Sequence, residues 1–318
     1  MSLASFPGII QTALELGLIS SLTVLALFLS YSMLNVCDLS TDGCFTLGAA
    51  VGAVVAIAGH PLLSIPAAML AGVLSGFVTA FLQTKMGINS LLSGIIVNTG
   101  LYSVTIGIMG GSSLLSMNKT ETVFTAVKSL TENTFLGPYF KLIVAVIAVA
   151  LVTAFLSVFL RTKLGLAIRA TGNNPDMVRS SSINTTFTTI VGLCVANSFT
   201  ALSGCLLAQS QKSVNIDIGS GMVTVALASL LIGGIFAGKK GGITARAIGA
   251  VLGAFIFRFV YAIALRFNMP AFMLKLVSSI IVIIAISAPY LKSRFPDFKR
   301  RMQHKKTMAK AEKEAEQC

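Results

Sequence analysis

Residues 142–160 read LIVAVIAVALVTAFLSVFL, a run of 19 residues without a single charged side chain. An α-helix rises about 1.5 Å per residue, so roughly 20 apolar residues are enough to cross the hydrocarbon core of a bilayer. Lys141 and Arg161 bound the run on either side. The stretch therefore predicts a membrane-spanning helix near residues 140–161.

Stretches of this kind recur along the whole chain, separated by short polar breaks. The 318 residues are 55% hydrophobic and 11% charged, against about 25% charged residues in ordinary soluble domains. The apolar runs predict spans near 8–34, 44–59, 62–83, 91–110, 140–161, 186–209, 222–238, 244–265 and 273–291. We therefore expect an all-α polytopic membrane protein of about nine transmembrane helices, with eight to ten as the range. Residues 1–291 form the transmembrane domain, and residues 292–318 form a basic tail.

The basic residues indicate how the chain is oriented. The formal net charge is +13, and Lys and Arg gather in the 161–185 loop, at residues 239–240 and in the tail. Short cytoplasmic loops retain positive charge, so these three regions are predicted to be cytoplasmic. This topology explains the charge without nucleic-acid binding. It places the C-terminus on the cytoplasmic side of a bacterial-type cytoplasmic membrane. The N-terminus and the 111–139 loop then lie on the outer side.

The 111–139 loop is too long for a minimal turn and is rich in Ser and Thr. Long loops often carry function. Two interpretations stay open for this external loop. It could contact an external protein that delivers a solute to the membrane, or it could be a passive surface segment.

The sequence offers no cluster of residues for catalysis or for a metal. The five cysteines are scattered without a C-x-x-C pair, and the chain has two histidines. The segment from Gly233 to Lys239 resembles a phosphate-binding loop, but Lys240 stands where that loop needs Ser or Thr, and a membrane helix precedes it. We therefore expect no catalytic residue, metal or cofactor on this chain. If transport is active, the energy source lies on another chain.

Two breaks in the apolar pattern resemble each other. One contains Asn35, Asp38 and Ser40, the other contains Asn215 and Asp217, and each precedes a segment rich in Gly and Ala. In transporters built from inverted repeats, two such breaks point in opposite directions across the membrane. The broken helices that they form surround a polar path. The alternative is that both are ordinary capping turns at helix starts. The residues alone leave both interpretations open.

Asn98 lies inside a predicted span, where a polar side chain needs a partner. A hydrogen bond between helices and a contact with the solute are both compatible with an amide at this depth. The short, Gly-rich run at 44–59 is compatible with a half-helix as well as with a full crossing.

The segment 165–184 is the most specific part of the chain. It reads GLAIRATGNNPDMVRSSSIN. Asn174 followed by Pro175 predicts a helix cap with proline at the first helical position, and a short helix ending near Ser181. A short, rigid and partly apolar helix beneath a membrane bundle is suited to docking into a groove of a soluble partner.

This segment resembles the coupling loop in permeases of the branched-chain amino acid and simple-sugar class of ABC importers, whose pattern is A-x-G-x-N-P-x-x-A-R-x-x-G-I-N. Residues 38–40 resemble an acidic turn of the sugar permeases, and residues 231–253 resemble their late Gly-rich segment. The resemblance runs from about residue 34 to residue 289. The chain departs from the pattern at Met177, Val178 and Ser182, where small residues or glycine are usual.

The resemblance implies that a partner ATPase, which carries ATP and Mg²⁺, docks on the loop at 162–185. The coupling residues that it implies are Gly165, Arg169, Ala170, Gly172, Asn174, Pro175, Asp176, Met177, Arg179, Ile183 and Asn184. It also implies a solute-binding protein outside and a second copy of the permease, with the solute path between the two copies.

The resemblance further favours the inverted arrangement of the two breaks. The translocation pathway is then assigned to Asn35, Asp38, Ser40, Asn98, Asn215 and Asp217. The chain resembles an uncharacterised permease branch whose binding proteins are linked to tryptophan or tyrosine. The resemblance therefore implies an amino acid as the solute, an aromatic one in particular, ahead of a sugar or a nucleoside. The alternative is an ion-coupled secondary transporter, which needs titratable residues in its spans, and the spans contain few.

Overall fold

The computed structural model describes residues 6–118, 120–131, 139–237 and 242–266, together with 276, 279–284 and 287. The described helices are α1 (Phe6–Leu27), α2 (Thr41–Ile57), α3 (Ser64–Thr84), α4 (Ser90–Ile108), α5 (Val123–Thr131), α6 (Phe140–Phe159), α7 (Lys163–Asn173), α8 (Pro175–Ser180), α9 (Thr185–Gln211), α10 (Met222–Ala237) and α11 (Ile243–Arg266). A π-helical segment, Phe28–Met33, continues α1. The prediction of an all-α polytopic membrane protein is confirmed.

Six of the described helices are long and apolar enough to cross a membrane, and α2 and α10 are shorter apolar helices. These eight match the first eight predicted spans to within a few residues. The ninth predicted span, 273–291, lies mostly outside the described residues, as do the Lys239–Lys240 turn and the tail 292–318. The outer faces of α3 and α6 expose large apolar side chains, such as Leu74 and Leu151, as expected of surfaces in contact with lipid.

Helix α9 lies at the centre of the bundle, and its neighbours approach it through glycines. A Cβ at Gly48 in α2 would overlap the carbonyl of Ala201, and a Cβ at Gly72 in α3 would overlap that of Asn197. Small residues let backbones come close, and in lipid such packing replaces the hydrophobic effect as the force between helices.

Helix α1 runs antiparallel to α9. Ser203 donates a hydrogen bond to the Ile19 carbonyl at 2.7 Å, while Gly192, near the start of α9, packs against Leu34. We name the end of the bundle that holds α7 and α8 the basic end, and the other the opposite end. Helix α1 thus finishes at the basic end.

The chain then turns back through residues 34–40 and reaches Asn197, which lies near the middle of α9. Helix α2 begins there and runs parallel to α9 toward the opposite end, since Gly48 faces Ala201 and Gly52 faces Cys205. It therefore crosses only about half of the bundle's depth.

The second break mirrors the first. Helix α9 ends at the opposite end, where strand β2 (Ser213–Asn215) pairs antiparallel with strand β1 (Leu114–Ser116). These two short strands were not expected from the sequence. The chain then returns to the level of Asp42, and α10 begins there.

Helix α10 runs antiparallel to α11, because Gly253 packs against Ser229 and Gly233 against Gly249. The start of α11 is hydrogen-bonded to the end of the α1 segment at the basic end, so α10 runs toward that end. Helices α2 and α10 therefore start at the same depth and run in opposite directions. The opposed broken helices expected from the two sequence breaks are present.

Candidate functional site

Asp42 joins the two half-helices. It lies in the first turn of α2, yet its Oδ2 accepts a hydrogen bond from the amide of Gly221 at 2.9 Å and its Oδ1 accepts one from Val223 at 2.8 Å. Amides at a helix start lack partners within the helix, and the positive end of the helix dipole favours a carboxylate. The carboxylate therefore caps α10 from another helix.

The sequence interpretation missed Asp42 and pointed to Asp38 instead. The signal that could have revealed it is a carboxylate within a short apolar helix that has no basic neighbour in sequence. Its partners are backbone amides far along the chain, so no pattern of side chains announces the contact.

Asp38 and Ser40 lie in the packed interior behind this joint, and both are fully buried. Asn197 donates to Asp38 Oδ2 at 2.9 Å, and the Ser40 amide donates to Asp38 Oδ1 at 2.8 Å. Thr79 of α3 donates to the Ser40 hydroxyl at 3.1 Å. The two residues hold the first break against α9 and α3, and neither lines the cavity described next.

A polar cavity of about 400 Å³ opens beside Asp42, between α2, α4 and the second break. Its lining consists of Asp42, Gly43, Thr46, Asn98, Thr99, Tyr102, Ser103, Thr105, Ile216, Asp217 and Ser220. The fold thus brings Asn98 and Asp217 together, although they lie on distant parts of the chain. A chamber of this size and polarity can hold a small polar molecule.

The other two predicted pathway residues lie elsewhere. Asn35 is exposed, with a positive φ of 58°, where the chain turns back after α1. Asn215 lies in β2 at the opposite end, and its Oδ1 accepts from the amide of Asp217 at 3.1 Å. Asn215 therefore shapes the loop that presents Asp217. Asn35 adopts the left-handed backbone conformation at the first turn.

Polar side-chain caps define the helices at the basic end. Thr162 accepts from the Gly165 amide at the start of α7, Asn174 accepts from the Met177 amide at 3.1 Å, and Asn184 accepts from the Phe187 amide at the start of α9. Each cap satisfies an amide that the helix leaves unpaired. With proline at its first position, α8 is the capped short helix that the sequence predicts.

One face of α8 points away from the bundle. Met177 is 65% exposed, whereas its neighbour Val178 is 3% exposed. Asp176 and Arg179 flank Met177 and form an exposed ion pair at 3.7 Å. An exposed methionine between two charged side chains can insert into a groove of another protein.

The predicted coupling residues divide between this outer face and an inner face. The exposed members are Asn174, Pro175, Asp176, Met177, Arg179, Ile183 and Asn184, and the buried or half-buried members are Gly165, Arg169, Ala170 and Gly172.

The inner face of α7 is fixed to the ends of three helices. A Cβ at Gly172 would overlap the carbonyl of Met33, and a Cβ at Gly165 would overlap that of Phe159. The hydroxyls of Thr171 and Thr188 lie 2.9 Å apart. Helix α7 therefore packs against the ends of α1 and α6 and against the start of α9.

Comparison with known proteins identifies a family and several relatives. Residues 9–286 match the family model described as branched-chain amino acid transport system / permease component. The tyrosine transport system permease protein of Clostridioides difficile is 32% identical over 277 residues, which cover 87% of this chain and 89% of that protein. The ribose import permease protein of Escherichia coli K12 is 24% identical over 259 residues, or 78% of this chain and 75% of that protein.

An uncharacterized protein of Rickettsia prowazekii is 30% identical over 286 residues, which cover 88% of this chain and 98% of the relative. No solved structure matches the chain. The family match spans most of the chain, including the two broken helices and the capped helices at the basic end. The chain therefore belongs to the family of branched-chain amino acid transport system permease components.

Proposed function

We propose that this chain is the membrane subunit of an ATP-driven importer for an amino acid, with tyrosine as the first solute to test. The observation that carries the proposal is the polar cavity at the joint between α2 and α10, in a chain related to a tyrosine permease. The chain performs no covalent chemistry. ATP and Mg²⁺ act on a separate ATPase subunit.

The cavity lies at the depth where both half-helices begin. Broken helices place unpaired backbone groups and a few polar side chains at mid-depth, which is where transporters hold their solutes. Because Asp42 of α2 binds the amides of Gly221 and Val223, the two half-helices move as one unit. Tilting that unit opens the path to one side and closes it to the other.

The ATPase docks on the outer face of α8 at the basic end, which is then cytoplasmic. When two ATPase subunits close on ATP, they displace α8, and the inner face of α7 carries this movement to α1 through the contact of Gly172 with Met33. Helix α1 leads directly into the first break. The movement is thus delivered to the joint at Asp42.

Two further partners complete the importer. A second copy of this chain pairs with the first, so that the polar cavities face a shared path. A solute-binding protein delivers the solute at the opposite end, where β1, β2 and α5 form the surface.

Purification of the tagged chain from its native membrane in mild detergent, followed by mass spectrometry, tests the partners. The proposal predicts recovery of an ATP-binding-cassette ATPase and a solute-binding protein, and loss of the ATPase alone when Met177 is changed to Asp. A Ser180→Ala variant, which alters an exposed neighbour on the same helix, serves as the matched control. Purification that repeatedly yields the intact permease without any ATPase contradicts the proposal.

An ion-coupled carrier is the second candidate, and the carboxylates of Asp42 and Asp217 at the cavity favour it. That mechanism predicts uptake that follows a sodium or proton gradient and continues without ATP.

A further inference from the structure

The polar cavity carries negative charge. Asp42 and Asp217 both line it, and the described residues around it include no Lys, Arg or His. Asp42 accepts hydrogen bonds from backbone amides at the start of α10, but an ionised carboxylate offers about four acceptor positions. The side chain of Asp217 is exposed to the cavity. The cavity therefore attracts a cationic group and repels an anionic one.

Thr105 supplies an independent observation that favours a polar ligand here. It is fully buried and lines the cavity, and its hydroxyl has no hydrogen-bond partner among the described residues. Threonine in a helix usually donates to the carbonyl four residues earlier, as Thr99 does to Ile95 on the same helix at 2.9 Å. A buried hydroxyl needs a hydrogen-bond partner, and a polar molecule in the cavity can supply one to Thr105.

The remaining lining fits an organic cation better than a bare ion. Tyr102 is 52% exposed at the edge of the cavity, and the face of an aromatic ring attracts ammonium groups and stacks on other rings. Asn98 offers an amide that can donate and accept. A volume of about 400 Å³ is larger than one dehydrated ion requires and matches a molecule of amino-acid size.

We propose that this cavity is a selectivity site for the ammonium group of the solute, with Asp42 and Asp217 as its counter-charges. The inference rests on the proposed function as a permease and adds the chemical feature that the permease itself reads. The solute's own carboxylate is not required at this site. Amines that lack a carboxylate therefore bind, whereas neutral sugars and carboxylates without an amine do not.

Protection of an introduced cysteine measures binding at this site. Ser103, which is exposed in the cavity, is replaced by Cys, on a background in which Cys37, Cys194 and Cys318 are Ser. The purified chain in nanodiscs reacts with a maleimide in the presence of tyramine, 3-(4-hydroxyphenyl)propionate, ribose or NaCl. We expect tyramine to slow the labelling and the other three to leave its rate unchanged.

Two charge variants locate the counter-charge. Asp217→Asn removes a carboxylate from an exposed position in the cavity, and we expect the tyramine concentration for half-protection to rise about tenfold, as for loss of a charged hydrogen bond. Glu121→Gln makes the same charge change at an exposed position that does not line the cavity. It should leave that concentration unchanged.

The outcomes separate the two proposals. Equal protection by tyramine and ribose, or protection by NaCl alone, overturns ammonium selection, and so does an Asp217→Asn variant that matches Glu121→Gln. If amines do not protect while the assembled importer still accumulates tyrosine with ATP, the selectivity site is wrong and the importer stands. If amines protect but no ATP-driven uptake exists, the site stands and the importer is wrong.

Discussion

The carboxylate of Asp42 in α2 lies 2.8 Å from the backbone amide of Val223 in the first turn of α10. The two residues lie on half-helices that run in opposite directions from the same depth. A single side chain therefore caps one broken helix from within the other. This contact joins the start of α10 to α2 beside the polar cavity.

Replacing Asp42 with Ala should leave two amides at the start of α10 without their acceptor. Loss of a capping carboxylate costs about 1–2 kcal/mol, so we expect a lower melting temperature in detergent and loss of uptake. Asp42→Asn keeps one acceptor oxygen and should lie between Ala and the native residue. A melting temperature for Asp42→Ala equal to that of Glu121→Gln would show that the contact does not stabilise the joint.

Changing Asn197 to Leu should destabilise the chain more than changing most buried residues of α9. The Asp38 carboxylate, which is 1% exposed, would lose the side-chain donor that lies 2.9 Å away. A hydrogen bond to a charged group is worth about 1.5–3 kcal/mol.

The exchange variant Asp38→Asn with Asn197→Asp tests the pair directly. It should recover part of the lost stability, and thermal unfolding of the single and double variants gives the interaction energy. Additive effects of the two changes would mean that the side chains act independently.

Arg169→Glu combined with Met177→Asp should uncouple the permease from its ATPase. Met177 presents its side chain outward, and loss of a central hot-spot residue costs an interface about 2 kcal/mol or more. ATP-driven uptake should fall at least about tenfold, while insertion into the membrane and amine protection at the cavity remain. Uptake equal to that of Ser180→Ala would show that α8 is not the docking helix.

Gly172→Ala should separate α7 from α1. The added methyl group would overlap the Met33 carbonyl, and overpacking of this kind costs about 1–3 kcal/mol. Gly107→Ala in α4 is the matched control, because a Cβ there meets nothing within 4 Å. We expect Gly172→Ala to lower both the melting temperature and uptake. If Gly172→Ala is as stable and active as Gly107→Ala, the close contact between α7 and α1 does not transmit movement.

The parts of this fold that depend on nearby residues could be predicted from the sequence. Apolar runs located the spans, and Asn174 with Pro175 fixed the start of α8, because both signals act within a few residues. The echo between Asp38 and Asp217 left broken helices and ordinary capping turns both open, and only the family resemblance favoured the broken helices that the structure has.

Contacts between distant segments were beyond the same reasoning. The burial of Asp38 depends on Asn197, and the role of Asp42 depends on where α10 begins. The pairing of β1 with β2 joins segments that α5 to α9 separate in the sequence. Asn98 could be singled out as a polar residue in a span, but its place beside Asp217 follows only from the packing of α4 against α2.

In the proposed importer, ATP on a partner subunit drives solute through this chain. The most direct measurement is uptake of radiolabelled tyrosine into proteoliposomes that contain the permease, its co-purified ATPase and ATP inside, with the solute-binding protein outside. We predict accumulation that requires ATP and disappears in the Arg169→Glu, Met177→Asp variant. Accumulation that proceeds without ATP and follows an imposed sodium or proton gradient would contradict the account.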